Sequence, residues 1–349
     1  MDKEKITFIA YSDHANVLTN WNNAINKYSS KYESIVICLT KNIYFKHDIV
    51  VTLNMRKKKN IDKINYIKKW IFDSTHIISG FESTNIIKGT DLQLLCNKLK
   101  IDISILLNSK KISVFYAGSM YRKKYEKINM IINNYCNHKQ IYAPDLYRLS
   151  LYTPNDIVLY PLPLFEFDRI DICNCIKNRF NDKLLILHSP SKTKAKGTNK
   201  IKIVINKLFQ DEYINNRFTY INTRPRTAFD EIVELKKKAT IYIDIYSIGN
   251  YSTFALASLE SLALGNIVFS SLQNISNDTL EKMSIDIGTF PILNTGNTDD
   301  DFLCKLKKIC YLSDNELEKE MMKSMDYYLN NMNKQKFCNE FEEKVLDNH

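Results

Sequence analysis

The stretch Ile241–Ser271, IYIDIYSIGNYSTFALASLESLALGNIVFSS, decides the fold of this chain. Its first part predicts a β-rich strand up to Ile245 and a loop around Gly249. Its second part predicts a helix that Gly265 ends and a short apolar strand over Ile267–Phe269. Short strands that are apolar throughout are typical of parallel sheets with both faces covered. The stretch therefore indicates an α/β fold around a parallel sheet.

The loop that opens this helix is a candidate anion site, because free backbone N–H groups and the positive end of the helix dipole point outward there. We expect Ser252 or Thr253 to cap the helix. Glu260 is then expected about two turns into the helix, on the same face as Thr253. A carboxylate there can accept hydrogen bonds from two neighbouring hydroxyls, as on a ribose. The alternative is a buried βαβ unit with Glu260 at its solvent edge.

A second loop with binding chemistry, His188–Thr198 (HSPSKTKAKGT), follows a predicted strand and opens a predicted helix. Within it, Lys192, Lys194 and Lys196 alternate with other residues and precede Gly197. Lysines together with a glycine and hydroxyl groups are suited to holding a diphosphate. The loop is not a Walker A motif, since G-x-x-x-x-G-K-[ST] is absent. The alternative is a solvated basic turn.

The composition of the 349 residues is that of a globular chain, with 44% hydrophobic and 25% charged residues, and the length favours about two domains. The sequence contains no run of about 18 apolar residues, and its first residues, MDKEKITFIAYSD, lack the apolar region typical of a signal peptide. We therefore predict a cytoplasmic protein, with peripheral membrane contact left open. The eight cysteines are scattered, which favours reduced thiols and predicts no metal site.

The charge is distributed unevenly along the chain. Residues 1–165 contain 24 Lys and Arg against 13 Asp and Glu, a net charge of +11. Residues 166–349 contain 25 against 26, a net charge of −1. A cationic first half predicts an acidic acceptor or surface, such as DNA, an anionic membrane or a glycan. The sequence makes no prediction of the oligomeric state.

Strands and helices alternate in both halves, which predicts two doubly wound Rossmann-like α/β domains with mostly parallel sheets, facing a cleft. We expect an N-terminal acceptor-side domain over 1–165 and a C-terminal nucleotide-sugar-binding domain over 166–312. The segment 313–349 consists of helix formers and is expected to pack back on the first domain. In the first domain, Ala117–Ser119 predicts a turn, and a helix is expected over 129–134.

The basic stretch Arg56–Phe72 predicts an amphipathic helix, because Ile61, Ile64, Ile67 and Ile71 recur at helical spacing. One interpretation is a helix with an apolar stripe towards the core and a solvated basic face. The alternative is a surface that contacts anionic lipid head groups or nucleic-acid phosphates.

Four ordered stretches resemble GT-B glycosyltransferases, specifically those of glycosyltransferase family four. LILHSPSKTKAKGTNKI at 185–201 is similar to the family's I-L-H-x-P-S-(N/S)-R-x-x-K-G-T-(D/N) run, and Ile241–Ser271 resembles its I-D-Q run. AGSMYR at 117–122 is similar to (H/G)-G-S-x-x-R. Tyr142–Leu146 with Leu159–Pro163 resembles T-P-D-L-L followed by L-P-N-P. The resemblance implies the GT-B fold and a nucleotide-diphosphate sugar as co-substrate, with no other cofactor.

The resemblance assigns roles to individual residues. Lys192 and Lys196 would hold the donor's phosphates, and Glu260 its ribose hydroxyls. The implied donor-binding residues are Ser191, Lys192, Lys196, Gly197, Gly249, Asn250, Tyr251, Ser252, Thr253 and Glu260. The candidate catalytic residues are Asp13, His14 and Lys196, and the candidate acceptor-side residues are Asn16, His76, Gly118, Ser119 and Arg122. Asp13, His14 and His76 are candidates because they lie near predicted strand ends of the first domain. For Asp13, His14 and His76 the alternative is a solvated or structural side chain.

The implied reaction is transfer of a hexose from a nucleotide sugar, commonly a UDP-sugar such as UDP-glucose, to an acceptor hydroxyl. By resemblance it proceeds with retention at the anomeric carbon and without a metal ion. The chain departs from the family at Ser252 and Thr253, where many relatives carry a second acid. Two alternatives stay open: a glycosyltransferase acting on a hydroxylated base in DNA, and a catalytically silent nucleotide- or nucleic-acid-binding protein on the same fold.

Overall fold

The computed structural model divides the chain into two compact units, Met1–Leu164 with Lys334–His349, and Phe165–Asn333. The residues described are 2–11, 13, 16–40, 49–50, 61–80, 90–116, 118–144, 146–163, 166–225, 227–247, 253–273, 275–286 and 288–347. Each unit is a parallel sheet with helices, so the predicted fold class of two doubly wound α/β units is confirmed. No described helix is long and apolar enough to span a lipid bilayer.

The first unit, within its described residues, is built on a seven-stranded sheet whose neighbouring strands are all parallel. Its strands are β1 (Glu4–Ala10), β2 (Tyr32–Cys38), β3 (Ile49–Val50), β4 (His76–Gly80), β5 (Lys111–Tyr116), β6 (Gln140–Tyr142) and β7 (Asp156–Val158). They are ordered β3-β2-β1-β4-β5-β6-β7. The order reverses between β1 and β4, which makes the carboxyl ends of these strands the switch point of the sheet.

The helices of the first unit come from both ends of the chain. They are α1 (Val17–Tyr28), α2 (Ile61–Asp73), α3 (Asp91–Leu99), α4 (Ile103–Ser109), α5 (Gly118–Ile131) and α15 (Lys334–Phe341). Side chains of successive strand residues point to opposite faces. Ile9, Ile77 and Ile112 accordingly pack into the cluster formed with α2, α3 and α4, whereas Phe8 and Phe115 contact rings on α1 and α15.

Helix α15 completes the core of the first unit. The Trp21 ring of α1 is fully buried and stacks on Phe337, with ring centroids 5.5 Å apart. Phe341 lies 5.8 Å from Phe8 of β1, measured between ring centroids. The end of the chain therefore covers an apolar face that the sheet would otherwise expose.

The second unit, counted over its described residues, has a five-stranded parallel sheet ordered β12-β11-β10-β8-β9. Its strands are β8 (Leu184–His188), β9 (Phe218–Asn222), β10 (Ala239–Ile245), β11 (Ile267–Ser270) and β12 (Leu293–Asn294). Its helices are α6 (Arg169–Asn178), α7 (Thr193–Lys196), α8 (Thr198–Leu208), α9 (Glu212–Arg217), α10 (Phe229–Lys238), α11 (Leu256–Ala263), α12 (Asn277–Lys282), α13 (Asp299–Cys310) and α14 (Asp314–Asn331). Here the switch point lies between β8 and β10, both buried along their whole length.

The sequence predicts a turn over Ala117–Ser119 and a helix over 129–134. Ala117 lies outside the described residues, and helix α5 already begins at Gly118 and runs to Ile131 before a 3₁₀ turn over Ile132–Asn134. The predicted turn is therefore wrong at Gly118 and Ser119, whereas residues 129–134 are helical as expected. The non-helical backbone of Lys124 kinks this helix, and it is rich in lysine with little apolar periodicity. That composition conceals its first half from a pattern search.

The segment 313–349 does not pack as one piece on the first unit. Helix α14 belongs to the second unit, because Leu317, Met321 and Met325 are fully buried in that unit's core. The chain joins the first unit from Lys334 onward. The proposed boundary at 312 is therefore corrected to 333.

Candidate functional site

The carboxyl ends of β8 and β10 carry the lysine-rich loop. Strand β8 ends at His188, and the chain continues through α7 and Gly197 into α8. Gly197 has φ +70°, and a β-carbon there would overlap the carbonyl oxygen of Tyr246. The Tyr246 N–H donates to the Lys196 carbonyl at 3.1 Å. Because only glycine permits this close approach, Gly197 fixes the start of α8 against the end of β10.

His188 connects the same elements. Its Nδ1–H donates to the Ile243 carbonyl at 2.8 Å, so its Nε2 accepts a hydrogen bond from Thr198 Oγ1 at 2.9 Å. Burial lowers the pKa of this imidazole to about 4, so the ring is neutral at neutral pH. His188 therefore ties the first residue of α8 to β10.

Lys196 is held by a buried carboxylate. Its ammonium group pairs with Asp244 of β10, and the side chains of Lys196 and Asp244 are 13% and 1% exposed. Ser258 of α11 donates to the other oxygen of Asp244 at 2.6 Å. Burial opposes ionisation of Asp244, but the charge of Lys196 and hydrogen bonds from Lys196 and Ser258 outweigh it and hold its pKa below the usual range. Lys196 thus occupies a defined position at the edge of the sheet.

Glu260 is paired with a lysine from the neighbouring helix. Lys236 of α10 has a fully buried side chain, and its Nζ donates to Glu260 Oε2 at 2.6 Å and to the Ala257 carbonyl at 3.0 Å. The same Nζ lies 4.8 Å from the centroid of the Tyr242 ring. Glu260 is 5% exposed, so it does not lie at the solvent edge of the unit.

Helix α11 starts later than the sequence predicts. Ala255 is its N-cap, without a side-chain hydrogen bond, and Leu256 is its first residue. Thr253 precedes the helix, and its hydroxyl donates to the next carbonyl at 2.9 Å. The predictions that Thr253 caps this helix and that Glu260 lies two turns into it are therefore wrong. Glu260 lies just over one turn from the start.

The other donor-side candidates are exposed or fall outside the described residues. Ser191 and Lys192 are exposed, and Lys192 is the N-cap of α7. Lys194 is exposed on the same short helix. The candidates outside the described residues are Gly249, Asn250, Tyr251 and Ser252.

Asp244 and Lys236 have no role in the assignment made from the sequence. The signal for Asp244 is a single charge inside an otherwise apolar strand, because a buried charge requires a partner. Lys236 has no comparable signal. It begins a run of three lysines at the end of α10, which is typical of a solvated helix terminus.

Asp13, beyond the carboxyl end of β1, is buried and bonded to α1. Its oxygens accept hydrogen bonds from Leu18 N at 3.2 Å, Thr19 N at 2.9 Å and Thr19 Oγ1 at 2.7 Å. Asp13 and Asn16 both have positive φ, 42° and 57°, which is uncommon outside glycine. The geometry favours the structural alternative for Asp13, and His14 lies outside the described residues.

His76 does not lie at the carboxyl edge, and its candidacy as an acceptor-side residue is corrected. It is the first residue of β4, at the amino end of the strand. Its Nε2–H donates to the Leu346 carbonyl at 3.1 Å, and its Nδ1 accepts from Thr75 at 3.0 Å. Burial, followed by the charges of Lys111 and His138, lowers its pKa to about 4. His76 therefore fastens the C-terminal segment to the sheet.

The remaining acceptor-side candidates lie on α5. Gly118 and Ser119 are the first two residues of the helix, immediately beyond the carboxyl end of β5. Arg122 follows one turn later and is partly exposed. These three residues therefore lie beyond the carboxyl end of β5, on the side of a parallel sheet where doubly wound folds commonly hold ligands.

Helix α2 has a mixed outer face. Ile67 and Ile71 are buried, as the core-facing interpretation predicts, and Ile64 is half-buried. Ile61, at the start of the helix, is 51% exposed and does not follow this interpretation. The exposed positions include Asp62, Lys69 and Asp73. Opposite charges therefore alternate on this helix, and its described part gives no particular support to a purely cationic contact surface.

Two cavities of the second unit lie away from Lys196 and Glu260. One of about 790 Å³ runs along α14, with Glu318 and Lys323 in its lining. Another of about 450 Å³ lies beside Leu185, between α6 and α10. The candidate site is therefore identified by its side chains rather than by cavity size.

Comparison with protein-family models and with curated protein sequences gives no match. Solved structures do match the chain. HepE (Alr3699) of Anabaena, in complex with UDP and glucose, has a TM-score of 0.58 at 10% identity over 97% of this chain and 98% of its own. The N-terminal domain of Candida albicans trehalose-6-phosphate phosphatase has a TM-score of 0.58 at 10% identity, covering 98% and 97%.

The apo structure of OtsA has a TM-score of 0.55 at 8% identity, with complete coverage of both chains. At such low identities the likeness shows the fold alone. That fold is GT-B, with two Rossmann-type α/β units, as the strand orders of the two sheets indicate.

Proposed function

We propose that this protein is a glycosyltransferase that moves a sugar from a nucleoside-diphosphate sugar to an acceptor hydroxyl group. One observation carries the proposal: Lys196 is fixed by Asp244, and Asp244 is bonded to Ser258, two residues before Glu260 on α11. These bonds connect the ammonium group of Lys196 to the helix that carries the carboxylate of Glu260, beside the switch point of the second sheet. This is where nucleotides bind in doubly wound folds.

We assign the diphosphate to the loop between β8 and α8. The ammonium group of Lys196 has three donors, and one of them is directed at Asp244. No described residue accepts from the other two, which we assign to phosphate oxygens. The exposed Lys192 and Lys194 add further positive charge. The first N–H groups of α8 have no acceptor within their own helix and favour an anion. The shared fold with a protein solved with UDP and glucose supports a UDP-sugar as donor.

We assign the ribose to Glu260. Its Oε2 accepts from Lys236, and no described residue donates a hydrogen bond to its second oxygen, Oε1. An ionised carboxylate has acceptor capacity for two hydroxyl groups. Neighbouring ribose hydroxyls match this capacity, and the nucleotide would then lie across the edge from β8 to α11.

The proposed reaction needs stabilisation of a leaving group more than a strong base. The acceptor oxygen bonds to the anomeric carbon as the bond from that carbon to the diphosphate oxygen breaks. Lys196, already fixed by Asp244, stabilises the negative charge that develops on the diphosphate. The acceptor proton passes to the leaving phosphate, so Asp13 is not required as a base. We propose retention of configuration, no covalent protein intermediate and no metal ion.

We propose that the acceptor, or the surface that carries it, is anionic and is bound by the first unit. The net charge of +11 in residues 1–165 supports this, and Lys123, Lys124 and Lys127 are exposed on α5. DNA with a hydroxylated base is the second candidate acceptor. Retention of DNA at low salt that falls steeply as salt rises would support it. Equal retention at low and high salt would count against it.

A thermal-shift panel of UDP, GDP, ADP, TDP and their glucose conjugates tests the donor assignment. A ligand at about 100 times its Kd stabilises the folded protein by roughly 2.7 kcal/mol. We expect one nucleotide to stabilise strongly and its sugar conjugate to be turned over. Failure of every nucleotide to stabilise would contradict the proposal. Strong binding without turnover, whatever the acceptor, would favour the catalytically silent alternative.

A further inference from the structure

Lys236 is unusual because all three hydrogen-bond donors of its ammonium group find partners inside the protein. Its side chain is fully buried. Its three donor directions are accounted for by Glu260 Oε2 at 2.6 Å, the Ala257 carbonyl at 3.0 Å and the face of the Tyr242 ring. Lys236 therefore has no donor left for a ligand.

The groups that Lys236 holds belong to the proposed nucleotide site. Ala257 lies in the first turn of α11, and Glu260 follows one turn later. The side chain of Glu260 keeps 7% exposure. The backbone of Lys236 is itself fixed, because its carbonyl accepts from Asn266 Nδ2 at 2.9 Å. One buried cation thus holds both the start of α11 and the carboxylate that α11 presents.

We propose that Lys236 is a positioning residue of the nucleotide site, which holds Oε2 of Glu260 and thereby directs the second oxygen of this carboxylate towards the ribose. The inference rests on the proposed function and deepens it, since it concerns a residue that never touches the ligand. The reason lies in hydrogen-bond capacity. A carboxylate can only accept, whereas a protonated carboxyl group uses one oxygen as a donor and no longer offers both to hydroxyls.

Other ionisable groups lie around this pair. From β10, Tyr242 and Asp244 face the pair, and Lys196 reaches Asp244 from the loop after β8. Burial raises the pKa of Tyr242 well above its usual value, so it stays neutral. Arg179 lies on the opposite end of α11, bonded to the Leu264 carbonyl, and burial lowers its pKa to about 9. Tyr242, Asp244 and Arg179 therefore keep the same charge between pH 6 and 8.

The test is the affinity of UDP for Lys236→Met, measured by calorimetry at pH 6, 7 and 8. If another diphosphate stabilises the wild type more in the thermal-shift panel, that diphosphate replaces UDP. Each Kd is divided by the wild-type Kd at the same pH, so that titration of the nucleotide cancels. Methionine keeps the long apolar stem and removes the charge. A buried carboxyl group that has lost its counter-ion takes up a proton more readily. We expect binding about tenfold weaker at pH 6, equivalent to ~1.4 kcal/mol, and recovery towards the wild-type value by pH 8.

Lys237→Met is the matched control, because Lys237 is the next residue on α10 and pairs at the surface with Glu234 at 2.6 Å. It should change the affinity less than twofold at every pH. For Lys236→Met, an unchanged affinity, or a loss of the same size at all three pH values, would overturn the inference. A uniform loss would mean that Lys236 only stabilises the fold.

A second comparison covers the case in which Lys236→Met does not fold. The double variant Lys236→Met/Glu260→Gln leaves no unpaired charge at this position. Its UDP affinity should equal that of Glu260→Gln alone if Lys236 acts only through Glu260. A further loss in the double variant would overturn the inference. A wild type that binds no nucleoside diphosphate would instead contradict the proposed function itself, and the inference with it.

Discussion

Lys196 serves two anions in this account: Asp244 inside the protein and a phosphate of the donor. Lys196→Met should weaken binding of UDP by about tenfold or more, because a hydrogen bond to a charged group contributes ~1.5–3 kcal/mol. Binding of uridine should change little, since uridine has no phosphate. Calorimetric titration with both ligands measures the difference.

Lys207→Met is the control for this substitution. Lys207 lies near the far end of α8 and pairs at the surface with Asp300 at 3.4 Å, so its loss should leave both affinities unchanged. Equal losses of UDP and uridine binding in Lys196→Met would remove Lys196 from the phosphate site.

Glu260 also has a measurable structural contribution. Glu260→Ala leaves Lys236 buried without its counter-ion, and removing one partner of a buried pair costs about 3–5 kcal/mol. Urea unfolding of Glu260→Ala should show this loss. Glu234→Ala removes the exposed partner of Lys237 and should cost about 0–1 kcal/mol. Similar midpoints for the two variants would show that the buried pair adds no stability.

Among the elements, α15 carries the clearest prediction. Phe337→Ala removes a fully buried ring that stacks on Trp21, and truncation of a buried aromatic side chain costs about 3–5 kcal/mol. Hydrogen exchange should show lost protection in α1 and β1, with β8 and β10 unaffected. Phe72→Ala, at a 41% exposed position of α2, is the matched control. Uniform loss across both units would contradict the assignment of α15 to the first unit.

The sequence predicts elements best where apolar periodicity and a terminator coincide. The strand predicted up to Ile245 is β10, the strand predicted over Ile267–Phe269 is β11, and Gly265 follows α11 with φ +70° as expected. The sequence does not indicate the start of α11, because Ala255 caps it without a polar side chain. It does not indicate the division at Lys334 either, because α14 and α15 both consist of helix formers and only tertiary packing separates them.

The sequence identifies the residues of the candidate site that face the proposed ligand, but not the residues that hold them in place. Lys196 and Gly197 stand out in the sequence through local spacing. Their supporting partners do not, because Asp244 and Lys236 reach the site from elements far away in the chain. Such pairings depend on sheet order, which a single sequence does not specify. His76 shows a different limit of the sequence. The pattern places it near a strand end, but the structure shows that this is the amino end of β4, away from the carboxyl edge of the sheet.

For the whole molecule, buried neutral histidines predict a loss of stability in acid. His76 and His188, one in each unit, have pKa values lowered to about 4 in the folded protein, against about 6.5 in an unfolded chain. Between these values the unfolded chain binds more protons, so stability falls as the pH drops from about 6.5 towards 4. Each histidine should contribute a loss of about 3 kcal/mol. Urea midpoints that stay constant from pH 7 to 4.5 would contradict both placements.

The distribution of charge along the chain differs between the residues proposed to bind the acceptor and those proposed to bind the nucleotide. The cationic excess lies in residues 1–165, whereas the linked ion pairs of the nucleotide site lie in the second unit. At that site Asp244 and Glu260 balance Lys196 and Lys236. Raising the salt concentration should therefore weaken binding of an anionic acceptor far more than binding of a nucleotide. Equal salt dependence, measured by fluorescence titration of both ligands, would argue against this separation.

The most direct measurement is hydrogen–deuterium exchange of the wild-type protein with and without UDP. We expect UDP to slow exchange in the start of α8 and in α11, around residues 196–201 and 256–260, and to leave β1 to β7 unchanged. These segments contain the residues assigned to the diphosphate and the ribose. Protection confined to the first unit, or no protection despite measured binding, would contradict the assignment of the nucleotide to the edge of β8 and β10.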